Sequence, residues 1–253
     1  MATEYDGRKF WSRNRGRMHL RFEIDGARFL YCYIRKCGCS AMKRVMLHSI
    51  GEDQLDESKA FPFSKFCFSG SRRIANRFAY RFFIYRDPIE RVVATFNDKF
   101  IQRSERSGYA DIFSNYFKIT GQNPDSASFD DFVSYVVNTR QSDIDPHCHL
   151  QSSHLMPIQY THAVRMEEMH SRFYEIFGRD ISDRFFGQKI NATSVKRFDE
   201  QANGVSSAEL RSRYLKDGSI PSGASLVTQD NRERLSGLFY DDYNMIQKIS
   251  RQS

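Results

Sequence analysis

The chain has 253 residues, 40% of them hydrophobic and 14% aromatic, which is enough to bury a sizeable core and too apolar for a disordered protein. Charged residues at 27% and a mean hydropathy of −0.61 argue against an integral membrane protein, and no apolar run approaches the ~18 residues a spanning helix needs. With 38 Lys and Arg against 31 Asp and Glu, the net charge of +7 favours an anionic partner such as nucleic acid, a phosphorylated cofactor or an acidic polymer.

The N-terminal stretch is basic and polar without an apolar core, so it reads as neither signal peptide nor anchor. Residues 1–27 are expected to form a basic arm, and 28–250 a single folded domain. The run Phe29 to Ile34 has the length and composition of a strand buried on both faces. Five polar or small residues later a helical pattern begins, with Met42, Val45, Met46 and Ile50 on one side. Tyr80 to Tyr85 reads as a second buried strand, followed by Pro88 at a helix start and Ile89, Val92, Val93, Phe96 and Phe100 on one face.

Further along, Ser128-Phe129-Asp130-Asp131 resembles a capped helix start. Met166, Met169, Phe173, Ile176 and Phe177 form another amphipathic pattern, closed by Gly178. Residues 179–228 read as loops and short pieces, with Gly218, Pro221 and Gly223 as breakers. One last helix is expected from about Thr228, burying Leu235, Leu238, Phe239, Tyr243 and Ile246. Strands followed by helices imply an α/β domain with a central parallel sheet flanked by helices, and such sheets bind ligands at the C-terminal ends of their strands. Cys32, Cys37, Cys39, Cys67 and Cys148 are an odd, sparse set, the pattern of reduced thiols in a cytosolic compartment.

Two strand-to-helix turns carry the chemistry. In Arg35-Lys36-Cys37-Gly38-Cys39-Ser40-Ala41, small residues let backbone N–H groups gather at a helix N-terminus, beside a Lys and a Ser hydroxyl. That suits a phosphate-like group, although the Walker A spacing is absent and an ordinary surface turn fits the stretch as well. The second turn begins with Arg86 at the end of its strand. Two basic strand ends on one sheet edge suit a ligand with two separated anionic groups.

At these residues the chain resembles the PAPS-dependent sulfotransferases of family 2, in the carbohydrate group that includes chondroitin and dermatan 4-O-sulfotransferases. Tyr33 to Arg44 is similar to that group's 5′-phosphosulfate loop, usually P-K-x-G-C-S-x-W-K-R. Phe83 to Phe100 is similar to its 3′-phosphate element, V-R-E/D-P-x-x-R-x-x-S-A-Y/F-x-x-K-F. Asp145-Pro146-His147 with Gln151, followed by Ala163 to Glu167, resembles a later acceptor-side segment, and Tyr240 to Tyr243 the last helix. The resemblance implies a P-loop-like turn and transfer of a sulfuryl group from PAPS to a hydroxyl of a carbohydrate or glycolipid, without a metal.

It also implies site roles. Lys36 would stabilise charge on the bridging oxygen of the phosphosulfate. Arg35, Cys37, Gly38, Cys39, Ser40, Ala41 and Lys43 would surround the 5′-phosphate, through backbone N–H groups and the Ser40 hydroxyl. Arg86 would bind the 3′-phosphate. The family's usual Ser is Ala94 here, and Thr95 is rotated about a quarter turn away, so it is not expected to substitute. Arg35 replaces a Pro and Met42 a Trp. Animal members carry a membrane anchor and work in the Golgi; no such segment is read here, so a cytoplasmic, bacterial enzyme or an excised domain is expected.

A hydroxyl acceptor must lose a proton, and five of the seven histidines fall between His147 and His170. His147 is the first choice for base or acceptor contact, against the alternative of a surface loop histidine. Asp98 and Glu90 are secondary candidates, more naturally salt-bridge partners, and His48 is expected to be structural. A metal site from His147, Cys148, His149, His154 and His162, or a cluster of Cys32, Cys37 and Cys39, fits no standard spacing. A competing reading is a non-catalytic nucleic-acid or anionic-glycan binding module whose arm (Arg8, Lys9, Phe10, Trp11, Arg13, Arg15, Arg17) stacks on bases; nucleic acid is the less favoured partner. A nucleotide kinase is disfavoured by the missing G-K-S/T.

Overall fold

A computed structural model describes residues 5–6, 18–57, 61–103, 108–187 and 195–251. The arm residues Arg8, Lys9, Phe10, Trp11, Arg13, Arg15 and Arg17 lie outside the described residues. Four strands make the main sheet, in spatial order β1 (Met18–Ile24), β2 (Ala27–Tyr33), β3 (Tyr80–Tyr85) and β4 (His162–Arg165). From β2 to β4 the pairing is parallel, with Cys32 opposite Phe83 and Tyr85 opposite Arg165. Phe29 to Tyr33 and Phe82 to Tyr85 are all buried, as continuous apolar strands covered on both faces must be. The expected α/β class with a mostly parallel sheet is what the chain forms.

The strand β1 is an addition to the expectation. It runs antiparallel to β2 through Asp25 and Gly26, both at positive φ (49° and 77°), the two-residue turn whose twist matches that of the strands it joins. Met18–Ile24 therefore belongs to the sheet, inside the stretch assigned to a basic arm. Leu20 and Phe22 face inward while Arg21 and Glu23 face out. Its outer edge is covered, since the Phe68 N–H donates to the His19 carbonyl at 2.9 Å.

The chain divides into two compact units where a single domain was expected. One comprises Met1–Arg86, Gln151–Ala192 and Asn244–Ser253, and it contains the sheet and a core running from Leu20 to Ile249. Its helices include α1 (Cys39–His48), which buries Met42, Val45 and Met46 as read from the sequence, while Ile50 lies beyond the helix and is exposed. The other unit, Asp87–Leu150 and Thr193–Tyr243, is mainly helical with its own aromatic core around Phe96, Phe100, Phe129 and Phe132.

In this second unit α2 (Pro88–Phe96) starts on Asp87, whose carboxylate accepts from the Glu90 N–H at 2.9 Å. It runs into a wider π-helical turn, Asn97–Gln102, where the Arg103 N–H reaches the Asp98 carbonyl five residues back at 3.0 Å. The Phe129–Asn138 helix has the expected start: Ser128 and Asp131 cap each other's backbone reciprocally.

Residues 179–228 are more regular than expected. They contain helices Arg179–Phe186 and Ser207–Asp217, and a parallel pair of short strands, Lys196–Phe198 and Ser219–Pro221. The Ser207–Asp217 helix buries only Ser207 and Leu210, too few apolar positions to leave a periodic signal. The single final helix is two, Gln229–Leu238 and Tyr240–Ser250, broken at Phe239, which the core holds with none of its surface exposed.

Candidate functional site

The first turn leaves β2 and enters α1 with two residues in the left-handed region, Lys36 at φ 65° and Gly38 at φ 67°. For Gly38 the conformation is free, but for Lys36 it costs about 1–2 kcal/mol. Gly38 is fixed a second way, because a Cβ there would lie 2.6 Å from Met169 Sδ and 2.7 Å from its Cε. No side chain caps α1, and its first turn carries no acidic residue. The N–H groups of Cys39, Ser40 and Ala41 thus belong to an uncapped, positively polarised helix end. The start of α2 is the opposite case, closed by Asp87 and Pro88.

Around this turn the cations are held by ring faces. Lys43 Nζ lies 5.0 Å from the Phe63 ring centre, 5.4 Å from Phe61 and 6.0 Å from Tyr33, and Arg35 Cζ lies 5.8 Å from Tyr33. Met42, standing where the family has Trp, is fully buried and packs in the core.

Arg86 follows the last paired residue of β3. Its backbone is gripped by the amide of Gln151, a side chain with no exposed surface. The Arg86 N–H donates to Gln151 Oε1 at 3.0 Å, and Gln151 Nε2 donates to the Arg86 carbonyl at 2.9 Å. The same Oε1 accepts from the Cys37 thiol at 3.3 Å. One buried amide therefore ties the first turn to the second. The sequence reading placed Gln151 in an acceptor-side segment; its side chain is instead committed to the two turns. No local pattern announces this, because the partners are 65 and 114 residues away.

His147 lies in the second unit. Its Nδ1 is 2.6 Å from Asp145 Oδ1, which also accepts the His147 N–H at 2.8 Å. Asp145 is 6% exposed. A carboxylate at Nδ1 orients the imidazole ring, a pairing that can serve a general base. The two-residue spacing of Asp145 and His147 was the only signal for this pair.

Ala94 is half-buried, and Thr95 does not replace the missing Ser hydroxyl: its own hydroxyl donates to the Arg91 carbonyl at 2.9 Å, one turn back in the helix. Arg91 is 1% exposed, donates to the His149 carbonyl, and has the Phe239 ring 5.9 Å away. Asp98 pairs with buried Lys99 at 3.1 Å. His48 pairs with Asp53 at 3.0 Å, and His149 meets the Ile144 carbonyl at 3.1 Å. The Cys148 thiol is pushed up by burial and by the charge of Asp145, so it is a core thiol. Tyr243 donates to Asp87 at 3.4 Å, and burial together with that charge raises its phenol to about 12.

The fold is thus a mostly parallel α/β sheet in which two parallel strands end in cationic turns. Residues 22–247 match the Sulfotransferase family, and the chain belongs to that family. Carbohydrate sulfotransferase 14 of Mus musculus is 29% identical over 147 residues, covering 54% of this chain and 37% of that protein. Carbohydrate sulfotransferase 9 of Homo sapiens is 25% identical over 246 residues, covering 87% of this chain and 51% of that protein. The chain spans about half the length of these relatives, or less. No solved structure matches it. Among the described residues no helix is long and apolar enough to cross a membrane; the relatives lend the cytoplasmic expectation no support.

Proposed function

We propose that this chain transfers a sulfuryl group from PAPS to a hydroxyl of a carbohydrate or glycolipid, releasing adenosine 3′,5′-bisphosphate. The observation that carries the reading is the uncapped N-terminus of α1 behind a turn with Lys36 and Gly38 in the left-handed region. That end offers an anion backbone donors, the Ser40 hydroxyl and a cation, and the first turn of the helix carries no acidic residue. The family match is consistent with a sulfuryl donor of this class, and the relatives' names support a carbohydrate acceptor. They favour an enzyme over a binding module that lacks catalysis.

PAPS supplies an activated sulfuryl group whose S–O bond to the phosphate breaks as a new S–O bond forms to the acceptor oxygen. The residues of the chain do the rest. Cys39, Ser40 and Ala41 hold the 5′-phosphate, and Lys36 neutralises the charge that builds on the bridging oxygen. Arg35 and Lys43 add positive charge beside it. Arg86 takes the 3′-phosphate. His147 accepts the hydroxyl proton at Nε2, and Asp145 stabilises the imidazolium that results. Cytoplasmic residence is part of the same proposal.

Calorimetric titration with adenosine 3′,5′-bisphosphate, against 5′-AMP, tests the reading. Micromolar binding that requires the 3′-phosphate is expected. Equal or absent binding of both nucleotides would refute it.

A further inference from the structure

We infer that Gln151 sets the spacing between the two anion sites, so that it controls the advantage of a bisphosphate nucleotide over a monophosphate. This deepens the proposed function and rests on it. The amide satisfies both backbone groups of Arg86 and, through the same oxygen, the thiol of Cys37. Arg86 is the first residue beyond the last β3–β4 pair, Tyr85 with Arg165. Gln151 therefore stands in for the missing strand neighbour at that position. It also anchors Cys37, whose N–H bonds the Ile34 carbonyl at 3.3 Å and which sits between the two left-handed residues.

A side chain without exposed surface that shares its oxygen between the two turns and gives its amide N–H to the second fixes their separation. A ligand with two phosphates gains from that rigidity, because its second phosphate binds at a high effective concentration only if the sites match its span. A ligand with one phosphate gains nothing from it. Gln151 is thus a positioning residue. It acts through the Arg86 backbone and the Cys37 thiol, not by touching the nucleotide.

The test compares the full chain with Gln151→Met, Gln151→Glu and Cys37→Ala, titrated with adenosine 3′,5′-bisphosphate and with 5′-AMP. Gln151→Met keeps the volume but no hydrogen bond; Gln151→Glu keeps the shared acceptor oxygen; Cys37→Ala cuts only the first-turn arm. The affinity ratio of bisphosphate to monophosphate should fall about tenfold in Gln151→Met and in Cys37→Ala, the worth of one net hydrogen bond. Affinity for 5′-AMP should hold in Gln151→Met, and Gln151→Glu should recover most of the ratio. A ratio unchanged in Gln151→Met and Cys37→Ala, or parallel losses for both nucleotides, would overturn the inference. If Gln151→Met does not fold, Cys37→Ala decides alone. Wild-type protein that fails to prefer the bisphosphate would overturn the cofactor reading and this inference with it, a result distinct from a variant that merely matches the wild type.

Discussion

Gly38→Ala places a Cβ where two separate constraints oppose it. Holding a non-glycine residue at φ 67° costs about 1–2 kcal/mol. The new methyl also falls 2.6 Å from Met169 Sδ, so the Met169 thioether must move within a packed core, for about another 1–3 kcal/mol. The expected loss is about 2–5 kcal/mol, a large part of the 5–15 kcal/mol typical of a folded domain. Urea unfolding followed by far-UV circular dichroism measures it. The two causes separate in a Met169→Ala background, where the obstruction is gone and the same substitution should cost only the backbone share. An equal cost in both backgrounds, or one below about 0.5 kcal/mol in the wild type, would refute the reasoning.

Other outcomes follow from the geometry. Lys36→Ala should keep its stability and lose turnover by about a hundredfold or more, whereas Lys36→Gly should gain about 1 kcal/mol of stability and be equally inactive; near-normal turnover in either would remove Lys36 from the chemistry. His147→Ala and Asp145→Asn should each lower transfer by about a hundredfold or more while nucleotide affinity holds, and calorimetry beside an initial-rate assay tells the two quantities apart. Ala94→Ser should strengthen bisphosphate binding on the order of tenfold and leave 5′-AMP unaffected, while Thr95→Ala should change neither affinity. For Asp131, burial acts to raise the carboxyl, but hydrogen bonds from the Ser128 hydroxyl and amide outweigh it and hold the group below its ordinary value. Its contribution is therefore present above the unfolded pKa and lost as pH falls through the folded one. Ser128→Ala should then cost about 1 kcal/mol at neutral pH, and part of that difference should vanish in acid titrations of stability.

Signals confined to neighbouring residues were legible. Phe29 to Ile34 and Tyr80 to Tyr85 announce themselves because strands covered on both faces are continuously apolar, and Ser128 with Asp131 because a cap is written in four residues. The strand Met18–Ile24 escaped because Arg21 and Glu23 face solvent and the inward His19 breaks the alternation; its hydrogen bond to Tyr160, at 2.8 Å, joins residues 141 apart. The Ser207–Asp217 helix escaped for want of apolar positions. In the site, residue type alone pointed to Lys36, Gly38 and Arg86. The work of Gln151, and the orientation of His147 by Asp145, depend on which side chains the folded chain brings within 3 Å or so of each other, and one sequence does not contain that.

Neither compact unit is a continuous piece of chain. The sheet-bearing unit needs Asn244–Ser253, and its core includes Met245 and Ile249, both almost wholly buried. On the ribosome, therefore, neither unit can finish before its later segments are made: the helical one waits for Tyr243, and the other for Ile249. Partly synthesised chains must carry unfinished apolar surfaces throughout translation, a condition that favours chaperone capture and slow, late consolidation. A chain stopped at residue 243 should leave the ribosome with the sheet already written but its core still open.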